Sequence, residues 1–138
     1  MDATAHHYAV TVSDLERAVE FYREVLGLEV VSRFSVGGEA FATGVGVDGA
    51  SADFAHLDAG GARVELVQYT PEGEPRSDGD LNQPGATHLG LEVDDLDAVY
   101  EGLPDGVETL SEPQTTESGT RICFLRDPEG TLVELLET

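Results

Sequence analysis

Lysine is missing from this sequence: all seven basic residues are arginine, against 28 acidic ones, for a formal net charge of −21 over 138 residues. A surface this negative repels phosphate backbones, so nucleic acid is excluded as an expected partner. The carboxylates are spread among regularly spaced apolar residues, which is the pattern of a solvated face and not of a disordered acidic tail. Cysteine occurs once, at Cys123, so neither an intrachain disulfide nor a cysteine-based zinc finger is open to the chain. Apolar runs long enough to cross a bilayer are lacking, as is a basic start followed by an apolar leader. The expectation is a cytoplasmic protein, without membrane attachment, the size of one compact domain.

What is present is a repeat. HYAVTVSDLERA begins at His7 and HLGLEVDDLDAV begins 81 residues later at His88. In the first copy Tyr8, Val10 and Val12 alternate as the apolar face of a strand, leaving His7, Ala9 and Thr11 on the other face. Ser13 and Glu16 form a capping-box pattern, and apolar residues from Leu15 to Leu26 then recur at helical spacing until Gly27. In the second copy Leu89, Leu91 and Val93 alternate, Asp94 reads as the cap, and Leu96, Val99 and Leu103 continue to Pro104.

Strand-like segments follow each helix. In the first half they are read at 28–36, 39–47 with 52–57, and 62–68; in the second at 106–110, 119–126 and 131–136. A further match at an offset of 69 residues joins Asp58, Gly61, Val64, Glu65 and Leu66 to Asp127, Gly130, Val133, Glu134 and Leu135. The stretch TPEGEPRSDGDLNQPG between the copies has no apolar period and reads as a linker. The predicted architecture is α+β, a single domain 1–138 of two βαβββ modules, 1–69 and 86–138, joined through 70–85.

Each copy begins with a histidine and ends with a glutamate. Glu65 lies between Val64 and Leu66, and Glu134 between Val133 and Leu135, so alternation puts both carboxylates on the face opposite those apolar neighbours. A carboxylate within an apolar strand requires pairing, hydrogen bonding or a metal. Two imidazoles and two carboxylates make a four-ligand set for a divalent transition metal.

The βαβββ repeat, the opening HYAVTVSDLERAVEFYREVLGLEV, the second-half HLGLEVDDLDAVYEGL and the closing FLRDPEGTLVELLE resemble the vicinal oxygen chelate superfamily over essentially the whole chain. The resemblance implies a cupped mixed sheet and one divalent ion (nickel, zinc, cobalt, manganese or iron) held by His7, Glu65, His88 and Glu134. His6 breaks register with His88 and is set aside. This ligand order is the glyoxalase I pattern, so the resemblance implies an isomerase or lyase acting through an enediolate on a small carbonyl or thiol-adduct substrate. Two modules joined by a linker can form a cup within one chain or swap halves with a second chain, the resemblance admits both, and a homodimer is expected. The resemblance makes Glu134 the first choice for the proton-transferring base, with Glu65 serving the opposite face of the substrate. Glyoxalase I tends to carry arginine and asparagine where this chain has Thr11 and Tyr69, so glutathione is not carried over with the fold. An acyl-CoA epimerase and a small-molecule binding or antibiotic-resistance protein are the alternatives.

Four further residues are expected near the substrate. A turn from Asp58 to Gly61 would set Phe54 opposite Glu65, and the same geometry would set Cys123 opposite Glu134. His56 and Arg121 share those faces by alternation, which would let Arg121 hold a substrate carboxylate or phosphate. The acid excess and missing lysine resemble proteins of salt-in halophiles.

Overall fold

The computed structural model describes residues 1–76 and 79–138, which fall into two compact units, the first Met1–Arg76 and the second running to Thr138. The first unit contains β1 (His7–Thr11), α1 (Leu15–Glu20) continued by a π-helical turn (Phe21–Val25), β2 (Glu29–Val36), α2 (Glu39–Val45), β3 (Ser51–Asp58) and β4 (Arg63–Thr70). The second contains β5 (Leu89–Glu92), α3 (Leu96–Glu101), β6 (Gln114–Thr115), β7 (Arg121–Arg126) and β8 (Leu132–Glu137). Each unit forms a four-stranded mixed sheet, in the orders β1-β4-β3-β2 and β5-β8-β7-β6. The α+β fold and its repeat are those expected. Within the predicted linker, residues 77 and 78 lie outside the described residues; the others, from 71 to 85, form no helix or strand.

In the first sheet the alternation sorts side chains as the sequence predicts. Val10, Val64, Leu66, Ala55 and Leu57 are buried on the face covered by α1, whose Leu15, Ala18, Val19 and neighbouring Tyr22 complete the core. Burying a leucine or valine side chain fully contributes roughly 1.5–3 kcal/mol, so this layer is the main stabilising term of the unit. The second sheet buries Val133, Leu135, Cys123 and Leu125, with α3 contributing Leu96. The helix starts are tied to the sheets by one repeated device. Gln68 Oε1 accepts from the Leu15 amide at 2.9 Å, and Glu137 Oε1 from the Leu96 amide at 2.8 Å.

Several expectations are corrected. The caps are Asp14 and Asp95, one residue after Ser13 and Asp94; their carboxylates accept from the amides of Arg17 and Ala98 at 3.1 and 3.0 Å. The predicted strand at 39–47 is helix α2. Gly38 at φ 98° and Gly46 at φ 72° open and close it, and Phe41 packs onto Phe54 and Tyr69. The predicted strand at 106–110 reduces to a single bridge, Thr109 to Leu125, beside hydrogen bonds from Leu110 to Phe124 and from Arg126 to Glu108. Pro104 and Pro113 flank that stretch and limit the ladder it can form. The two-residue β6 was not expected. Among the described residues, no helix is long and apolar enough to cross a membrane.

Candidate functional site

The parallel pairing of first and fourth strand sets each histidine beside its glutamate. Ala9 is the register partner of Glu65, and Gly90 is the register partner of Glu134. In both sheets, therefore, the glutamate lies next to a small residue two places after the histidine. His7 Nε2 lies 3.5 Å from Glu65 Oε2, and His88 Nε2 lies 3.2 Å from Glu134 Oε2. The glutamate side chains are 13% and 20% exposed, and all four groups are on the sheet face opposite the helix.

These spacings fit adjacent donors on one ion. Two ligands with bonds of about 2.1 Å at 90–109° stand about 3.0–3.4 Å apart. Each sheet brings together one such pair; among the described residues, no group of three or more His, Cys, Asp or Glu side chains is arranged to hold a metal. Imidazole and carboxylate are the donors that zinc, nickel, cobalt, manganese and iron accept.

Around Glu65 the first sheet is polar. His56 is its register partner on β3, is 5% exposed, and places Nε2 2.8 Å from Glu65 Oε1. Arg63 Nη1 lies 3.3 Å from His56 Nδ1, and His6 Nδ1 lies 2.8 Å from His7 Nδ1. One row along the strands the face becomes aromatic, with Phe34 stacked on Phe54 at 4.9 Å and set edge-on to His56 at 5.2 Å. Around Glu134 the face is apolar, because its β7 partner is Phe124, whose ring meets His88 edge-on at 5.0 Å.

The two hairpins account for which predicted neighbours hold. Asp58 pairs with Arg63 around a four-residue loop, so Glu65 faces His56, and Phe54 faces Val67. That register is two residues from the expected one, which leaves Phe54 and His56 on the glutamate's face. In the second hairpin Arg126 pairs with Leu132 around a five-residue loop, and Asp127 Oδ1 accepts there from the amides of Glu129 and Thr131, both at 2.9 Å. The resulting register is one residue from expectation, and such a slip turns every side chain over. Cys123 pairs with Leu135, and both it and Arg121 lie on the helix face, away from Glu134. Arg121 holds Asp97 of α3 in a fork at 2.7 and 3.1 Å, which keeps the Asp97 carboxyl below its ordinary range and the guanidinium above its own. The Cys123 thiol donates to Ser111 O at 3.5 Å, and burial pushes its pKa up, so it is a packing residue and not a nucleophile. Arg63, Phe34 and Phe124 were missed. Phe124 and Arg63 lie within strands that the sequence marks, but only the hairpin registers reveal what they face.

A cleft of about 500 Å³ also opens in the first unit, lined by Asp14, Leu15, Arg33, Phe34, Asp53 and Gln68 among others; neither His7 nor Glu65 borders it.

Comparison with known proteins agrees with the α+β fold. The chain is 33% identical to a 2-epi-5-epi-valiolone epimerase of Actinomyces over 95% of its own length and 77% of the relative's. It is 27% identical to a probable lactoylglutathione lyase of Synechocystis, over 96% and 93% of the two chains. A glyoxalase family protein from Bacillus cereus superposes with a TM-score of 0.78 at 26% identity, over 96% of this chain and 91% of that one. The family profile covers residues 4–135, and the chain belongs to the Glyoxalase/Bleomycin resistance protein/Dioxygenase superfamily.

Proposed function

We propose that the chain is a metal-dependent isomerase or lyase that moves a proton at a carbon beside the carbonyl of a small substrate. The observation that carries this reading is the repeated pair: histidine and glutamate at equivalent registers of two sheets, 3.5 and 3.2 Å apart, on faces lined by aromatic rings. His7, Glu65, His88 and Glu134 are the residues that would hold one divalent ion per chain. Such an ion, when bound, supplies positive charge that stabilises negative charge developing on substrate oxygen.

The chain's own groups do the rest. Glu134 has one imidazole beside it and an apolar ring opposite, and it is the group assigned to take the proton and return it through a carboxylate oxygen. Glu65 is held by His7 and His56 and serves the substrate's other side. A single base that takes a proton and returns it suits both an isomerase and a lyase of this kind. The relatives named an epimerase and a lactoylglutathione lyase support this class of reaction over oxygen-consuming chemistry. Phe34 and Phe54 would seat the apolar part of the substrate. We also read the protein as a cytoplasmic homodimer; a one-chain mass by light scattering at micromolar concentration would count against the dimer.

The test is metal reconstitution followed by a substrate screen in deuterium oxide, with cyclic hydroxyketones, thiol hemiacetals and acyl-CoA esters offered in parallel. Deuterium should enter the carbon beside the carbonyl only in the metal-loaded protein. Substrate turnover without exchange, or oxygen consumption, would reject the reading.

A further inference from the structure

The two half-sites differ in one respect that the repeat makes visible. At the position facing the glutamate, the first sheet has His56 and the second has Phe124; two residues before the glutamate, the first has Arg63 and the second Leu132. A guanidinium only donates, so the 3.3 Å contact from Arg63 Nη1 makes His56 Nδ1 an acceptor. The ring proton is then on Nε2, from which it is donated to Glu65 Oε1 at 2.8 Å. The result is a directed chain, Arg63 to His56 to Glu65, that occupies one carboxylate oxygen and leaves Oε2 toward His7.

The expenditure of an arginine here is notable on electrostatic grounds. With 28 acidic residues to seven basic ones, carboxylate partners are plentiful. Arg23, Arg33, Arg121 and Arg126 all take one, whereas the side-chain contact of Arg63 among the described residues is an imidazole. His56 is buried and cannot swing away without leaving polar atoms unsatisfied.

We infer that Arg63 and His56 are positioning residues that lock Glu65 as a fixed metal-facing carboxylate, a restraint that Glu134 lacks among the described residues. The inference rests on the metal reading above and makes the two glutamates unequal: one is held and the other has room to move a proton. Partners that hold a ligand's second atom typically alter metal affinity by 10–100-fold when removed.

The experiment titrates metal-free protein with Co²⁺, following the visible spectrum of the bound ion and its affinity. His56→Phe installs the residue that the second sheet uses at the same place, and it should weaken Co²⁺ binding by roughly 10–100-fold. His56→Gln keeps a donor toward Glu65 and an acceptor toward Arg63, and should stay within roughly threefold of wild type. Arg63→Leu, at an exposed position, should weaken binding in the same direction and keeps the test valid if His56→Phe does not fold. Wild-type affinity and spectrum in folded His56→Phe, or in Arg63→Leu should His56→Phe not fold, would overturn the inference and leave the metal reading standing. No Co²⁺ uptake by wild type would overturn both.

Discussion

Gly90 and Glu134 are register partners in the second sheet, and a methyl group on Gly90 would lie 3.7 Å from the glutamate's Oε2. That is ordinary van der Waals contact, and Ala9 already occupies the corresponding place beside Glu65. Gly90→Ala should therefore be tolerated, with a gain of roughly 0.4–1 kcal/mol from the stiffer unfolded chain and metal content unchanged. Gly90→Leu would press on the carboxylate and the Leu136 side chain behind it. It should lower metal occupancy more than it lowers the melting temperature. Equal behaviour of the two variants would show that Glu134 needs no open space beside it.

Exchanging carboxylate for amide separates holding from proton transfer. Glu134→Gln keeps an oxygen donor but cannot accept a proton at neutral pH. On the substrate found by the screen, turnover should fall by roughly 10²-fold or more while appreciable metal is retained. Glu65→Gln should be milder in turnover per bound metal, since the proton-transfer role is assigned to Glu134 and an amide oxygen turned to the metal side can still serve as a ligand. Full activity of metal-loaded Glu134→Gln would remove the base role assigned to it.

Much of this was legible in the residues alone. Periodicity gave both sheets, both first helices and the shared face of each histidine and glutamate, because alternation and the 3.6-residue repeat depend only on local geometry. What depends on turn length was not legible. One residue more in the loop after β7 than in the loop after β3 moves Phe124 opposite Glu134 and turns Cys123 and Arg121 to the helix side, whereas Phe54 and His56 stay on the expected face. The helix α2 was missed because Phe41 and Val45 are spaced for a helix turn as well as for a strand, and the glycines bounding it decide the matter through their backbone angles. Arg63 and His56 carried no signal as neighbours until the register was known.

Net charge sets a separate expectation. With 28 acidic residues against seven basic ones, self-repulsion opposes the compact state when the screening length is long. Raising ionic strength from about 0.01 M to about 1 M shortens that length from about 30 Å to about 3 Å. The melting temperature should rise steeply between dilute buffer and molar potassium chloride. Equal melting in both would remove the comparison with salt-adapted proteins.

Arg121 and Asp97 offer a pH test that also decides whether this arginine touches substrate. The Arg121 fork holds the Asp97 carboxyl below its ordinary value of 3.8. A carboxylate whose pKa is depressed on folding contributes stability that is present above its unfolded pKa and is lost as pH falls through the lower folded one. The pair's contribution should therefore be constant at neutral pH and disappear below about pH 4. Because both groups are at the surface, the effect is small and salt-sensitive. Arg121→Gln should thus flatten the acid limb of a melting-temperature profile slightly relative to wild type. Its KM should be unchanged, since Arg121 points to the helix side of the second sheet, away from Glu134. A rise in KM for an anionic substrate, with the acid limb unaltered, would return Arg121 to the binding face and contradict the register of β7 on β8.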